Sequence, residues 1–298
     1  MAKELKLGVI GMSDGNGHPY SWSAIFNGYD KEAMAECPFP VIPEYLGKQR
    51  FPQDSINDAR VTHIWTQEES LSKKISKASL IQNICSNPED MIGEVDAVLL
   101  ARDDAENHFS MCLPYLKAGL PVFIDKPLAY DLKTAKEILK EQEYENQVFT
   151  CSSLRFAKEF NLTSSQKERI GKIIHIDATV PKSWSKYAVH IIEPSLSMLD
   201  KAYKVDSVET YENHGITVNR VQWENGPSGI FKTFGKHSAP LKITLYGENG
   251  FEELSFKDTF FAFKASLQYF IDMVNKKVPN IDRLQTLQVI EIIERGMK

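Results

Sequence analysis

Asp125-Lys126-Pro127 follows directly on the apolar run Leu120-Pro121-Val122-Phe123-Ile124, which sets an ammonium group at the end of a short buried strand. Pro127 has no amide hydrogen and disfavours helical backbone in the residue before it, so the strand stops here and Lys126 stands at its rim. The Lys126-Pro127 bond is a candidate for the cis form. A second group able to handle a proton, His190, lies in Tyr187-Ala188-Val189-His190-Ile191-Ile192-Glu193. On a helix, His190 and Glu193 share one face. An amine becomes a base once its surroundings favour the neutral form, and an imidazole does so near neutral pH with little adjustment. Taken singly, each has a plain structural reading: a strand end before a turn, and a histidine satisfied within a helical core.

The elements that must position these groups alternate. Leu5-Lys6-Leu7-Gly8-Val9-Ile10-Gly11 reads as a first strand, with a helix from about Ser21 or Trp22 and a second strand over residues 60–66. A short helix over 88–92, a strand over 95–101, a helix over 109–118 closed by Gly119, and the Lys126 strand follow. Residues 131–143 form an amphipathic helix capped by Asp131 with Leu132, Ala135, Ile138 and Leu139 inward, and 147–153 form the last strand. From Gly171 the pattern changes to strands over 172–179, 206–212, 216–223, 229–234 and 241–246, with turns at Glu224-Asn225-Gly226 and Gly247-Glu248-Asn249-Gly250. A helix over 187–203 carries His190; Pro194 within it implies a kink or a later start. Helices over 260–275 and 283–295 have core spacing. The fold expected is α/β: a Rossmann-type doubly wound parallel sheet over 1–153, then an α+β domain with a mostly antiparallel sheet over 154–298. Residues 27–60 form an insertion in which Pro38, Pro40, Pro43 and Pro52 break any long helix, and it reads either as a lid or oligomer contact or as a plain surface loop.

Composition narrows the function. The chain has 298 residues, 42% hydrophobic and 25% charged, with a formal charge of −5, which provides no basic surface for nucleic acid. No stretch approaches the roughly 20 apolar residues of a membrane helix, and no apolar leader precedes the first strand, so the cytoplasm is the expected location. Four cysteines, Cys37, Cys85, Cys112 and Cys151, lack metal-ligand spacing and read as free thiols in a reducing compartment. No metal site is expected.

The order of these elements, with Asn107-His108, the Asp125-Lys126-Pro127 rim, Ser152-Ser153-Leu154-Arg155-Phe156 and Ile170-Gly171-Lys172-Ile173-Ile174, resembles the Gfo/Idh/MocA family of nicotinamide-dependent oxidoreductases. The likeness spans nearly the whole chain and is most specific over 95–128 and 155–176. It implies NAD or NADP as cofactor, a small polyhydroxylated substrate (a sugar, cyclitol or sugar-derived acid), and a homo-oligomer built through the C-terminal sheet. It also places His108 near the nicotinamide and matches His190 to the histidine of an Asp-x-x-x-His motif, with Lys186 standing where the aspartate would be. On this reading Lys126 and His190 bracket a substrate hydroxyl, His190 as leading proton acceptor and Lys126 polarising the oxygen, with Tyr187 as a reserve donor. Lys126, Arg155, Lys186, His190 and Glu193 are the substrate-side candidates. Lys186 suggests an anionic group on the substrate, against a simple solvated lysine; Arg155 could equally tie the domains together.

The cofactor side departs from the resembled pattern. In Gly11-Met12-Ser13-Asp14-Gly15-Asn16-Gly17-His18-Pro19, only Gly11 falls in the G-x-G-x-x-G register. Either Gly15 and Gly17 let the backbone approach a diphosphate in a longer loop, or Asp14 repels the diphosphate and affinity is lost. His18 either contacts a ligand or satisfies the loop. The expected cofactor contacts are Gly11, Met12, Ser13, Gly15, Gly17, Thr66, Gln67, Ala101, Arg102, His108, Asp125 and Lys126. At the end of the second strand Thr66-Gln67 replace the usual acid, and Glu68 and Glu69 beyond them would repel a 2'-phosphate, which favours NAD. These departures keep two other readings open: a non-catalytic nucleotide or sugar sensor, and a lyase or hydrolase that uses NAD for transient oxidation.

Overall fold

A computed structural model describes residues 4–298; Met1 to Lys3, the head of the segment read for a leader, lie outside the described residues. The chain divides into two compact units. The first takes the described residues up to Asp125 with Glu137–Thr150 and Ser266–Asn280, and the second takes Lys126–Lys136, Cys151–Ala265 and Ile281–Lys298.

In the first unit β1 (Leu5–Ile10), β2 (Ala59–Trp65), β3 (Asn83–Ile84), β4 (Ala97–Leu100), β5 (Val122–Ile124) and β6 (Val148–Phe149) form one sheet in the order β3-β2-β1-β4-β5-β6. Every neighbouring pair is parallel. This is the doubly wound order, and its direction reverses between β1 and β4, where an open sheet leaves a crevice beyond the strand ends. The central strands are apolar on both faces, with Leu7, Val9, Val98, Leu99 and Val122 wholly buried. Phe123 of β5 anchors the packing, with ring centroids 4.8 Å from Trp22, 4.7 Å from Phe149 and 5.5 Å from Phe270.

The insertion is more regular than its prolines suggest. Two short helices, Lys31–Ala35 and Val41–Leu46, occupy it. Pro40 is the N-cap of the second and Pro43 falls in its first turn, where a missing N–H leaves no intrahelical bond unmade. Asp30 caps the first helix by accepting the Ala33 amide. Phe39 and Ile42 pack tightly on the glycine loop: a Cβ on Gly17 would stand 2.6 Å from Phe39 Cδ2 and 2.5 Å from Ile42 Cδ1.

The second unit holds β7 (Ile173–Val180), β8 (Val205–Asn213), β9 (Ile216–Trp223), β10 (Ser228–Thr233), β11 (Lys242–Gly247) and β12 (Phe251–Ser255) in the order β12-β11-β7-β10-β9-β8. The pairing is antiparallel except between β7 and β10. The sequence pattern found the first five; β12 escaped it because Phe251-Glu252-Glu253-Leu254-Ser255 carries too few apolar residues for a clear alternation. The inner face of the sheet buries Ile176, Ala178, Trp223, Phe231 and Leu245 with Trp184, Ile191, Ile192 and Ile293. On the other face Tyr211, Tyr246 and Phe251 remain 62%, 41% and 66% exposed.

The single helix expected over 187–203 is two: Trp184–Tyr187 and Val189–Ser197, with Ala188 between them. Pro194 sits inside the second, which ends well before Tyr203. Among the described residues no helix is long and apolar enough to cross a membrane, and the four cysteines are free.

Candidate active site

In the first unit, the turn after β1 and the rims of β2, β4 and β5 are tied together by side chains. The Gln67 amide brackets Met12, its Oε1 accepting the Met12 N–H at 3.0 Å and its Nε2 donating to the Met12 carbonyl at 2.9 Å. Ser13 Oγ donates to Asp103 Oδ1 at 2.7 Å and accepts the Asp103 amide at 3.0 Å. Asp125, 1% exposed, takes Asn16 Nδ2 at 2.7 Å and lies 2.6 Å from His18 Nδ1 on the same oxygen. His18 also stacks on Trp22 at 4.7 Å and donates its amide to Asn16 Oδ1. The loop is therefore held open by the strand ends around it rather than by its own glycines.

This arrangement suits a diphosphate. Among the described residues no acceptor meets the amides of Ser13, Asp14, Gly15 or Gly17, and Ser13 and Gly17 are buried residues. Backbone donors in such a place call for an anion or water. Gly15 has φ +76° and open space where a Cβ would be. The helix that follows, His18–Asn27, adds little, because Asn16 caps the His18 amide, Pro19 has none, and Gly17 accepts those of Tyr20 and Ser21. Gly11 is required for close strand-to-helix approach, since a Cβ there would stand 2.2 Å from Pro19 Cγ.

Several expected cofactor contacts have local duties. The Thr66 hydroxyl donates to the Glu68 carbonyl and meets Ser72 Oγ. Ala101 is buried, and its amide extends the β1–β4 ladder. Arg102 forks onto Asp104, with Nε at 2.9 Å, and reaches the Met12 carbonyl at 3.4 Å. His108 is fully buried, its Nε2 2.8 Å from the Arg102 carbonyl. Neither Asn16 nor Asp103 was among the expected contacts: Asn16 registers in the sequence only as a departure from the glycine pattern, and an Asp such as Asp103 beside a strand end is an ordinary loop residue.

The second unit gathers the groups able to handle protons. The Lys126-Pro127 bond is cis. Lys126 is 5% exposed, and its Nζ lies 5.6 Å from the centre of the Tyr187 ring. Tyr187 meets the His190 ring edge-to-face at 5.1 Å. Lys182, unremarked in the sequence, stands 4.3 Å from the same tyrosine ring and donates to its hydroxyl. His190 Nδ1 is 2.8 Å from Ser152 Oγ. Glu193, on the same helix face, accepts the Ser152 amide at 2.6 Å and lies 3.8 Å from Arg155 Nη1. Burial pushes the Glu193 carboxyl up to about 7, while the Arg155 guanidinium and the Ser152 amide pull it down. Lys126, Tyr187, His190, Ser152, Glu193 and Arg155 thus form one chain of contacts, and partly buried Lys186 is carried on the short helix Trp184–Tyr187. Among the described residues no group of three His, Cys, Asp or Glu could hold a metal ion.

Residues 45–152 match the family model described as oxidoreductase family, NAD-binding Rossmann fold, of the Gfo/Idh/MocA group. The matched segment begins after β1 and the glycine loop. No curated protein matches the sequence. Among solved structures, apo scyllo-inositol dehydrogenase from Lactobacillus casei is similar with a TM-score of 0.73 and 15% identity, over 99% of this chain and 96% of that one. Myo-inositol dehydrogenase from Lactobacillus casei, in complex with NAD(H) and myo-inositol, gives 0.71 and 15% over 98% and 93%. An oxidoreductase from Thermotoga maritima gives 0.71 and 16% over 99% and 96%. At such identities these structures establish the shared fold, and the family match establishes the kind of Rossmann segment.

Proposed function

We propose that the chain, whose residues 45–152 match the NAD-binding Rossmann fold of the Gfo/Idh/MocA oxidoreductases, is an NAD-binding oxidoreductase acting on CH–OH groups, with a small polyhydroxylated molecule, a sugar, cyclitol or sugar-derived acid, as its substrate. The observation that carries this is the group Lys126, Tyr187 and His190: an amine and an imidazole both beside one phenol ring, in the unit that supplies no phosphate loop. Groups of these types can hold a hydroxyl with up to two donors and take its proton on an unprotonated one. Bound NAD supplies the hydride acceptor for oxidising that carbon. The amides of Ser13, Asp14 and Gly15 would hold its diphosphate, and Asp125 keeps that loop in place through Asn16 and His18. Lys126 follows Asp125 directly in the chain.

The ligands of the similar structures, myo-inositol and scyllo-inositol, belong to this substrate class and support it. A homo-oligomer through the outer face of the second sheet is part of the same reading, because Tyr211, Tyr246 and Phe251 expose aromatic surface there. A cytoplasmic setting fits the four free thiols.

Two measurements test the proposal. Thermal melts with NAD, NADH, NADP and NADPH should show stabilisation, about 2.7 kcal/mol at a hundred times the dissociation constant. No shift with any of them would end the reading. NAD reduction followed at 340 nm over a panel of inositols, hexoses and aldonic acids should then find a substrate, and Lys126→Ala and His190→Ala should each lower kcat about 10²-fold or more while dinucleotide binding persists.

A further inference from the structure

Lys182 is held by a backbone that a lysine rarely adopts. It lies just past the end of β7 with φ +67°, in the left-handed region that glycine enters freely and a residue with a β-carbon does not. The turn is fixed from both sides. The Lys182 carbonyl accepts the Gly235 amide at 2.8 Å, and Ser183, next in the chain, is the N-cap of the helix Trp184–Tyr187 and accepts the Tyr187 amide at 3.0 Å. Backbone strain beside a group able to handle protons asks what the side chain does there. Lys182 is an exposed residue, yet its Nζ donates to the Tyr187 hydroxyl and stands 4.3 Å from the ring centre. Among the described residues its ammonium pairs with no carboxylate, so the phenol is what holds it. An ammonium has three hydrogens and no lone pair, so in this contact the phenol oxygen can only accept. Tyr187 then has its own hydrogen still to place, on the side of the oxygen turned away from Lys182. Among the described residues no acceptor meets it.

We propose that Lys182 is a positioning residue that fixes Tyr187 as a hydrogen-bond donor, so that the phenol, with Lys126 and His190 beside its ring, offers its hydrogen to a substrate oxygen. This rests on the dehydrogenase reading for the identity of the ligand and on the Lys182–Tyr187 contact for the direction of the bond. Left alone, a phenol hydroxyl turns between donating and accepting; with the ammonium on one side of the oxygen, its hydrogen is already aimed. Such a donor needs no reorientation when negative charge builds on the substrate oxygen as its proton leaves. The bond is therefore stronger in the transition state than with the bound alcohol, and its loss falls on kcat rather than on KM. Lys182 touches Tyr187 and acts through it.

The test compares Lys182→Gly, Lys182→Arg, Tyr187→Phe and the double variant Lys182→Gly/Tyr187→Phe in the full chain. Lys182→Gly should lower kcat about tenfold with KM changed by no more than about twofold, and the double variant should be no slower than Tyr187→Phe, because the two side chains act as one unit. Lys182→Arg, whose guanidinium is likewise a donor without a lone pair, should recover most of the rate. Glycine suits the left-handed turn, so the urea midpoint of Lys182→Gly should hold or rise while the rate falls. A Lys182→Gly chain as fast as the wild type, or losses that multiply in the double variant, would overturn the positioning role. A lowered midpoint with no recovery in Lys182→Arg would overturn it too, leaving Lys182 as a support of the fold. The contact is also read without turnover, from the 13Cζ resonance of Tyr187 in a chain labelled at tyrosine and assigned by its loss in Tyr187→Phe. That resonance should move in Lys182→Gly and return in Lys182→Arg. A working dehydrogenase in which it stays put would refute this proposal alone, whereas a chain in which it moves but no dinucleotide binds would refute the dehydrogenase reading, and the donor role with it.

Discussion

Replacing Glu193 by glutamine should remove a pH dependence of stability that the wild type carries. The carboxyl is buried, accepts one amide at 2.6 Å, and has its guanidinium partner no closer than 3.8 Å, so desolvation outweighs attraction and the group titrates near 7 instead of 4.5. Below about 4.5 it is protonated in both folded and unfolded chains and contributes no pH dependence. Between about 4.5 and about 7 the unfolded chain has released a proton that the native state keeps, so stability falls as pH rises through that window. At 1.36 kcal/mol per pH unit the fall is about 3 kcal/mol. Glutamine keeps the shape and the acceptor oxygen for the Ser152 amide but has nothing to titrate. Any loss from leaving Arg155 without its carboxylate adds an offset that does not vary with pH over this range. Urea unfolding at intervals from pH 4 to 8 should therefore show the stability of Glu193→Gln gaining about 3 kcal/mol on the wild type, with most of the gain between pH 5 and 7. A difference that stays constant would show that the carboxyl is not perturbed. A difference of the opposite sign would mean that Arg155 holds it charged, and the dominance of burial would be refuted.

Asp125→Ala should weaken NAD binding about tenfold and lower stability by about 1–3 kcal/mol, because Asn16 and His18 lose a common buried acceptor; calorimetric binding that matches the wild type would show that the loop is ordered by other means. Gly17→Ala should destabilise by about 1–3 kcal/mol through its collision with Phe39 and Ile42, read from denaturant midpoints. Phe251→Asp should lower the mass measured by sedimentation without altering the melt of the isolated subunit, and an unchanged mass would remove the outer sheet face from the assembly.

What could be read from the sequence was whatever depends on neighbours in the chain. The apolar run before Lys126 and the proline after it set that residue at a strand end without reference to the rest of the molecule, and three-residue spacing was enough to put His190 and Glu193 on one face. The insertion failed on a local point: prolines were read as breakers when Pro40 and Pro43 stand where a helix begins. Gly17 failed on a distant one. Its lack of a side chain looks like room for phosphate, yet the residues that need the space, Phe39 and Ile42, lie more than twenty positions along. Ser152 is the extreme case. Its type, its strand-end setting and its serine neighbour give no warning, because its role arises from a bond to an imidazole 38 residues away and a carboxyl 41 residues away. Candidate chemical groups such as Lys126 and His190 are legible because their types are uncommon in such settings; the residues that hold them, such as Ser152, are small, polar and ordinary. Sequence reasoning proposed the amine and the imidazole from their types and assigned their roles from intrinsic basicity, which favours histidine. The structure adds what basicity leaves out, the neighbours of the imidazole: Ser152 Oγ stands 2.8 Å from His190 Nδ1, and the Tyr187 ring meets it edge-to-face.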